Sequence, residues 1–123
     1  MFLIVDNTED DKATFSFLLN NEFVQRDFVT SKNKGLVVCL EELLASLKLK
    51  LKDIKHLGVV VGAGKFTASR LAVTAVNALA YSLKIPVVAL PKNFDQAVAF
   101  KLAKSAVAGK YVVPTYSGEV RIG

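Results

Sequence analysis

Short, uninterrupted apolar runs alternate along the chain with polar turns and with longer stretches of helical period. Residues 2–5, FLIV, end at Asp6 and have the pattern of a strand buried on both faces. The polar segment DNTEDDK predicts a turn. ATFSFLL (13–19), in which small or polar residues alternate with larger ones, and EFVQRDFV (22–29) are separated only by Asn20 and Asn21. Adjacent asparagines tolerate the positive φ of a tight turn, so these two segments predict an antiparallel hairpin. From Gly35 to Leu51 the positions Leu36, Leu40, Leu43, Leu44, Leu47 and Leu51 recur at helical spacing and predict a first helix. LGVVV (57–61) is a second buried strand. After a glycine loop, Thr67 to Leu83 predicts a second helix, and IPVVAL (85–90) a third buried strand. NFDQAVAFKLAKSAVAG predicts a third helix, entered at Asn93 and stopped by Gly109. The tail KYVVPTYSGEVRIG has extended character with a break at Pro114. This order implies a mixed sheet covered by helices, parallel wherever a helix connects two strands.

At 123 residues, with 52% apolar residues, the chain fits one compact domain, 1–123, with no linker or repeat. Sixteen basic residues against eleven acidic ones give a net charge of +5, which favours acidic partners without naming one. The lysines are scattered and no aromatics interleave with them, so the plainer reading is a solvated basic face that keeps an apolar domain soluble. The single cysteine, Cys39, sits in an apolar helical run and reads as a small buried hydrophobe. Met1 leads directly into the first strand with no basic leader or cleavage site, and no apolar run reaches membrane-spanning length. The expectation is a cytoplasmic protein with no membrane partner.

The stretch GVVVGAGKFTASRLAV (58–73) raises the question of phosphate binding. A phosphate-binding loop of the Gly-x-x-x-x-Gly-Lys-Ser/Thr type fails here at two defining positions, because residue 59 is valine and residue 66 phenylalanine. The dinucleotide pattern has Gly62 and Gly64 but Thr67 at its third glycine position. Two readings stay open: weak anion docking on Gly62, Gly64, Lys65 and Thr67 at a helix N-terminus, or a plain tight strand-to-helix turn capped near Thr67 or Ser69. Asp6 is a lone carboxylate at a strand end, without a neighbouring base or second carboxylate in sequence, and reads first as a turn residue. No catalytic set, metal site or cofactor is expected. The second helix carries Arg70 as its only charge and has small residues on every side. It is either central to the fold, or its outward stripe of Arg70, Thr74, Asn77 and Tyr81 meets another protein.

GVVVGAGKFTASRLAVTAVNALAYSLKIPVVAL resembles the signature region of the TsaB (YeaZ) family, whose loop reads Gly-Pro-Gly-Ser-Phe-Thr-Gly-x-Arg before an alanine-rich helix and a strand. Gly62, Gly64, Phe66, Thr67 and Arg70 match, while Ala63, Lys65 and Ala68 depart. FLIVDNT resembles the family's opening, with Asp6 and Thr8 in register, and VVPTYSGEVRIG is similar to its Pro-x-Tyr tail. The second lobe usual in the family has no counterpart here, nor does the histidine before its first helix, since TSKNKGL takes that place. His56 reads as an ordinary surface residue.

The resemblance implies one lobe of the actin-like ATPase (ASKHA) fold: a five-stranded mixed sheet, antiparallel meander plus parallel strands, with three helices. It further implies a non-catalytic partner of a TsaD-like ATPase subunit in threonylcarbamoylation of tRNA adenosine, linked to tRNA only indirectly. Family members pair through the first two helices, with TsaD or with themselves. That assigns a partner interface to Leu36, Leu40, Leu43 and Leu47 together with the stripe Arg70, Thr74, Asn77 and Tyr81. Asp6, Thr8, Gly62, Gly64, Lys65 and Thr67 become the remnant of a phosphate loop. The alternatives are a self-associating domain, or a nucleotide-binding domain holding phosphate at Gly62 to Lys65.

Overall fold

A computed structural model describes residues 1–9, 11–19, 22–31, 33–62 and 66–113. Its elements are β1 (Phe2–Asp6), β2 (Lys12–Leu19), β3 (Glu22–Val29), α1 (Leu36–Ser46), a 3-10 turn (Leu51–Asp53), β4 (His56–Val61), α2 (Phe66–Leu83), β5 (Val87–Pro91) and α3 (Gln96–Ser105). The five strands form one sheet in the order β3-β2-β1-β4-β5. The β1–β2 and β2–β3 pairs are antiparallel, while β1–β4 and β4–β5 are parallel; α2 connects β4 to β5, and β2, β3 and α1 lie between β1 and β4. The mixed α/β lobe expected from the sequence is therefore present. In the hairpin, Leu19 pairs with Glu22, which leaves Asn20 and Asn21, outside the described residues, as the connection.

Alternation along each strand divides the side chains between two cores. Leu3 and Val5 of β1, Ala13, Phe15 and Phe17 of β2, and Leu57 and Val59 of β4 face α1 and α2. There they meet Cys39, Leu43 and Leu44 of α1 and Ala72, Val73, Val76 and Ala80 of α2. Phe2, Ile4, Val60 and Leu90 face the other way, against Ala99 and Ala103 of α3. Burying a side chain such as Phe15 contributes about 1.5–3 kcal/mol. The runs FLIV and GVVV are apolar at every position because the central strands β1 and β4 are covered on both faces. Gly58 marks the tightest spot: a Cβ there would sit 3.1 Å from Leu90 Cδ1 and 3.2 Å from Ile4 Cγ1.

α1 and α3 are shorter than the spacing predicts, while α2 ends at Leu83 as predicted. α1 stops at Ser46, not Leu51. Lys48 takes a left-handed conformation (φ 56°), its N–H donates to Ala45 O and the N–H of Leu49 to Leu44 O. This pair of bonds satisfies the last carbonyls and ends the helix. α2 ends the same way: Lys84 has φ 58°, Lys84 N–H donates to Tyr81 O and Ile85 N–H to Ala80 O. In both, lysine stands where glycine is usual. α3 begins after Asp95, not Asn93, because the Asp95 carboxylate accepts the N–H groups of Ala97 (2.7 Å) and Val98 (3.3 Å). It ends at Ser105 rather than reaching Gly109.

Beyond α3 the chain returns to the opposite face, where Val112 packs against the core under α2. Cys39 is fully buried, and burial pushes its thiol above the usual range. His56 is not a plain surface residue: it is half-buried and edge-on to Phe2, 6.4 Å between ring centroids. Burial, and then the nearby Met1 ammonium, push its pKa below the ordinary value. Among the described residues no helix is long and apolar enough to cross a membrane.

Candidate functional site

Two places deserve a functional reading, the C-terminal ends of the parallel strands and the outer surface of α1 and α2. Asp6 ends β1, and its Oδ1 accepts both the N–H of Thr8 (2.9 Å) and the Thr8 hydroxyl. Thr8 is itself buried by this turn. Lys92, one residue past β5, reaches across the end of the intervening β4 to Asp6 Oδ2 (2.8 Å) and also contacts Glu9 (3.4 Å). Burial by itself would raise the Asp6 pKa, but the Lys92 ammonium and the Thr8 donors outweigh it and hold the carboxyl below its usual range. Burial lowers the Lys92 pKa, and the carboxylates of Asp6 and Glu9 more than restore it, to above the ordinary value.

Gly62 follows β4 with φ +80°, a conformation that side chains rarely adopt, so the turn requires a glycine there. Of the remaining candidate phosphate-loop residues, Gly64, Lys65 and the Thr67 side chain lie outside the described residues. Nucleotide chemistry in actin-like folds implies a divalent metal near the β1 carboxylate. Asp6 does not fit that role as it stands, because a lysine ammonium already neutralises it. Among the described residues no three His, Cys, Asp or Glu side chains cluster as metal ligands. Lys92 joins the candidate site only through the fold; nothing in PKNFD marks it as the partner of a residue 86 positions earlier.

The second place is a groove of 330 Å³ between α1 and α2. Leu36, Val37 and Leu40 form one wall, Ala75, Ala78 and Leu79 the other, and Val5 and Phe15 of the sheet reach its floor. The groove exists because alanines on this side of α2 are too short to fill the space that the leucines of α1 leave. It is open to solvent, and Val37 on its wall is 56% exposed; Leu71 (60%) and Tyr81 (72%) are further exposed apolar side chains of α2, the latter beside Tyr111.

The residues assigned to the partner interface divide into three groups. Leu36 and Leu40 line the groove, while Arg70, Thr74 and Tyr81 are exposed on α2. Leu47 is half-buried at the end of α1 and packs on the core. Leu43 and Asn77 are corrections. Leu43 is fully buried and has no surface to offer. The Asn77 side chain is engaged by the chain itself, donating to Val112 O (2.8 Å) and accepting from Val112 N–H (2.9 Å). Helical geometry explains the second case: Asn77 lies on the flank of α2 away from α1, where the returning tail runs.

The profile of the TsaD family, described as tRNA N6-adenosine threonylcarbamoyltransferase, matches residues 29–109. Among solved structures, YeaZ from Pseudomonas aeruginosa is similar at a TM-score of 0.64 and 23% identity, over 73% of this chain and 44% of that one. A second structure, described as an uncharacterized protein with similarity to peptidase YeaZ from Pseudomonas aeruginosa, gives a TM-score of 0.62 and 21% identity. It aligns over 85% of this chain and 48% of its own. The chain thus spans less than half the length of either structure. No curated protein sequence matches it.

Proposed function

The chain belongs to the TsaD family, that of tRNA N6-adenosine threonylcarbamoyltransferase, and has the fold of YeaZ (TsaB) proteins; from that premise we propose that it is a non-catalytic partner subunit in threonylcarbamoyladenosine modification of tRNA. In this reading it pairs with a TsaD-type ATPase subunit through α1 and α2. The observation that carries the proposal is the open apolar groove between those helices, floored by Phe15 and walled by Leu36, exposed Val37, Leu40, Ala75 and Ala78. An apolar trough of this kind on a surface is a seat for another apolar element. The alanines of α2 let a partner helix approach closely. The state of Asp6 supports a role without chemistry at the strand ends, since its charge is already balanced by Lys92.

Mixing the chain with the TsaD-type subunit of the same organism and measuring complex formation by light scattering and calorimetry tests this. The wild-type chain should form a heterodimer. Ala78→Glu and Thr74→Glu, each placing a charge on the docking surface, should weaken it by about tenfold or more with thermal unfolding unchanged. Pairing that survives both substitutions overturns the interface. A stable homodimer that refuses the TsaD-type subunit replaces the proposal with self-association. Nucleotide binding at the Gly62 turn is the lesser reading; micromolar binding of ATP with Mg²⁺ by the isolated chain would restore it.

A further inference from the structure

At the C-terminal ends of the parallel strands charges of both signs stand together: Asp6, Glu9, Asp11 and Asp95 with Lys12 and with Lys92, which pairs with Asp6 and Glu9. At the opposite end stand Lys48 at the close of α1, Lys50, Lys52 and Lys55 on the connection to β4, and Lys84 at the close of α2. The backbone ties these segments together. Lys55 N–H donates to Met1 O (2.9 Å), the Met1 ammonium to Asp53 O (2.9 Å), and Leu57 N–H to Pro86 O (3.0 Å). All five lysines are exposed, and among the described residues none is ion-paired with a carboxylate. The one acid among them, Asp53, accepts the N–H of Lys50 on its Oδ2 (2.8 Å).

We propose that this lysine-rich end, where the closes of α1 and α2 meet the entries of β1, β4 and β5, is a contact surface for the phosphate backbone of RNA. Two independent observations favour a charge kept for use. Lys48 and Lys84 both hold the left-handed position of a helix-ending motif, where glycine would be unstrained. Conformational strain at matched positions motivates a search for function. Interaction with the helix C-terminal dipoles accounts for a cation at these two places, but not for Lys50, Lys52 and Lys55, which stand on the connecting turn. Burial first, and then Lys55, lower the Met1 ammonium pKa, while Asp53 acts the other way by less.

Exposed lysines without a stacking platform contact phosphates and carry no sequence preference. The choice of RNA over other polyanions rests on the family reading above, and it replaces the expectation that tRNA is met only indirectly. The contact needs no partner subunit, so it is tested on the chain alone, while pairing is measured separately.

The experiment is fluorescence anisotropy with labelled unfractionated tRNA between about 50 and 200 mM salt, where four or five phosphate contacts give a log-log slope of about −4. Lys50→Gln/Lys52→Gln/Lys55→Gln should lose about tenfold or more in affinity at the lower salt and flatten the slope by about 2 to 3, each single change contributing about 1. Lys12→Gln/Lys34→Gln/Lys101→Gln removes the same charge elsewhere and should stay within about threefold of wild type. Equal losses in the two triple variants, or no RNA binding at all, overturn the proposal. Tighter binding to phosphatidylserine vesicles than to tRNA overturns it in favour of a membrane surface.

Discussion

Asn77 in the middle of α2 exchanges two hydrogen bonds with the main chain of Val112, 35 residues later, and so clamps the returning tail to the helix. Tyr111 lies beside Tyr81 at 6.3 Å, and Val112 packs against the core. The near absence of charge on α2 thus has two causes, a groove on one flank and a tail on the other. Asn77→Ala should lower the unfolding free energy by about 1–2 kcal/mol, the worth of two part-buried hydrogen bonds, in urea denaturation. An unchanged midpoint would show that the clamp contributes nothing.

Gly58 sits where β4 crosses beneath α3, with Leu90, Ile4 and Phe2 closing on its missing side chain. Gly58→Val should destabilise the fold by about 1–3 kcal/mol through overpacking, read as a lowered melting temperature. At Gly62, by contrast, a Cβ meets none of the described residues within 4 Å, and the strain of Gly62→Val comes from the positive φ. A second-site Leu90→Ala should rescue the Gly58 variant and leave the Gly62 variant unimproved.

Lys84 ends α2 in a conformation that costs a side-chain-bearing residue about 1–2 kcal/mol relative to glycine. Lys84→Gly should therefore stabilise the chain by about 0.5–1 kcal/mol in equilibrium unfolding, part of the relief being offset by the greater freedom of unfolded glycine. The same substitution should weaken tRNA binding. A variant that loses stability would show that the lysine side chain holds the helix end together.

Asp6 gives a pH-dependent signature. Its folded pKa is depressed, so the stability it contributes is present above the unfolded carboxylate value and is lost as the pH falls through the folded one. Asp6→Asn should cost about 1 kcal/mol at neutral pH, a modest figure because Lys92 is 42% exposed and solvent screens the pair. The gap between wild type and variant should close in acid, below about pH 4. A gap that stays constant into strong acid would mean that the carboxylate charge is not what matters.

Much of the sheet could be read from the chain because its signals are local. FLIV and GVVV are apolar throughout since both faces are covered, and EFVQRDFV occupies the very span the pattern gives it. The ends of α1 and α3 are not legible, because the punctuation is unusual. Lys48 stops α1 without a glycine to announce it, and Asp95 caps α3 although Asn93 offers the same kind of oxygen two residues earlier; the end of α2 at Leu83 is read correctly. The candidate site was legible only in part, because its decisive contacts are long-range. Leu43 shares the spacing of Leu36 and Leu40, so periodicity alone does not separate a core leucine from a rim leucine. The pairing of Asp6 with Lys92, and of Asn77 with Val112, depends on the order of strands and the path of the tail, neither of which any short stretch encodes.

The five exposed lysines gathered where α1 and α2 close give that end of the molecule a positive field that acts before any contact forms. In the field of a polyanion the molecule would rotate lysine end first during diffusion. The trough between α1 and α2, set at right angles to that direction, would remain turned outward. One small lobe could then be held at its base by nucleic acid while its flank receives a protein, each arrival leaving room for the other.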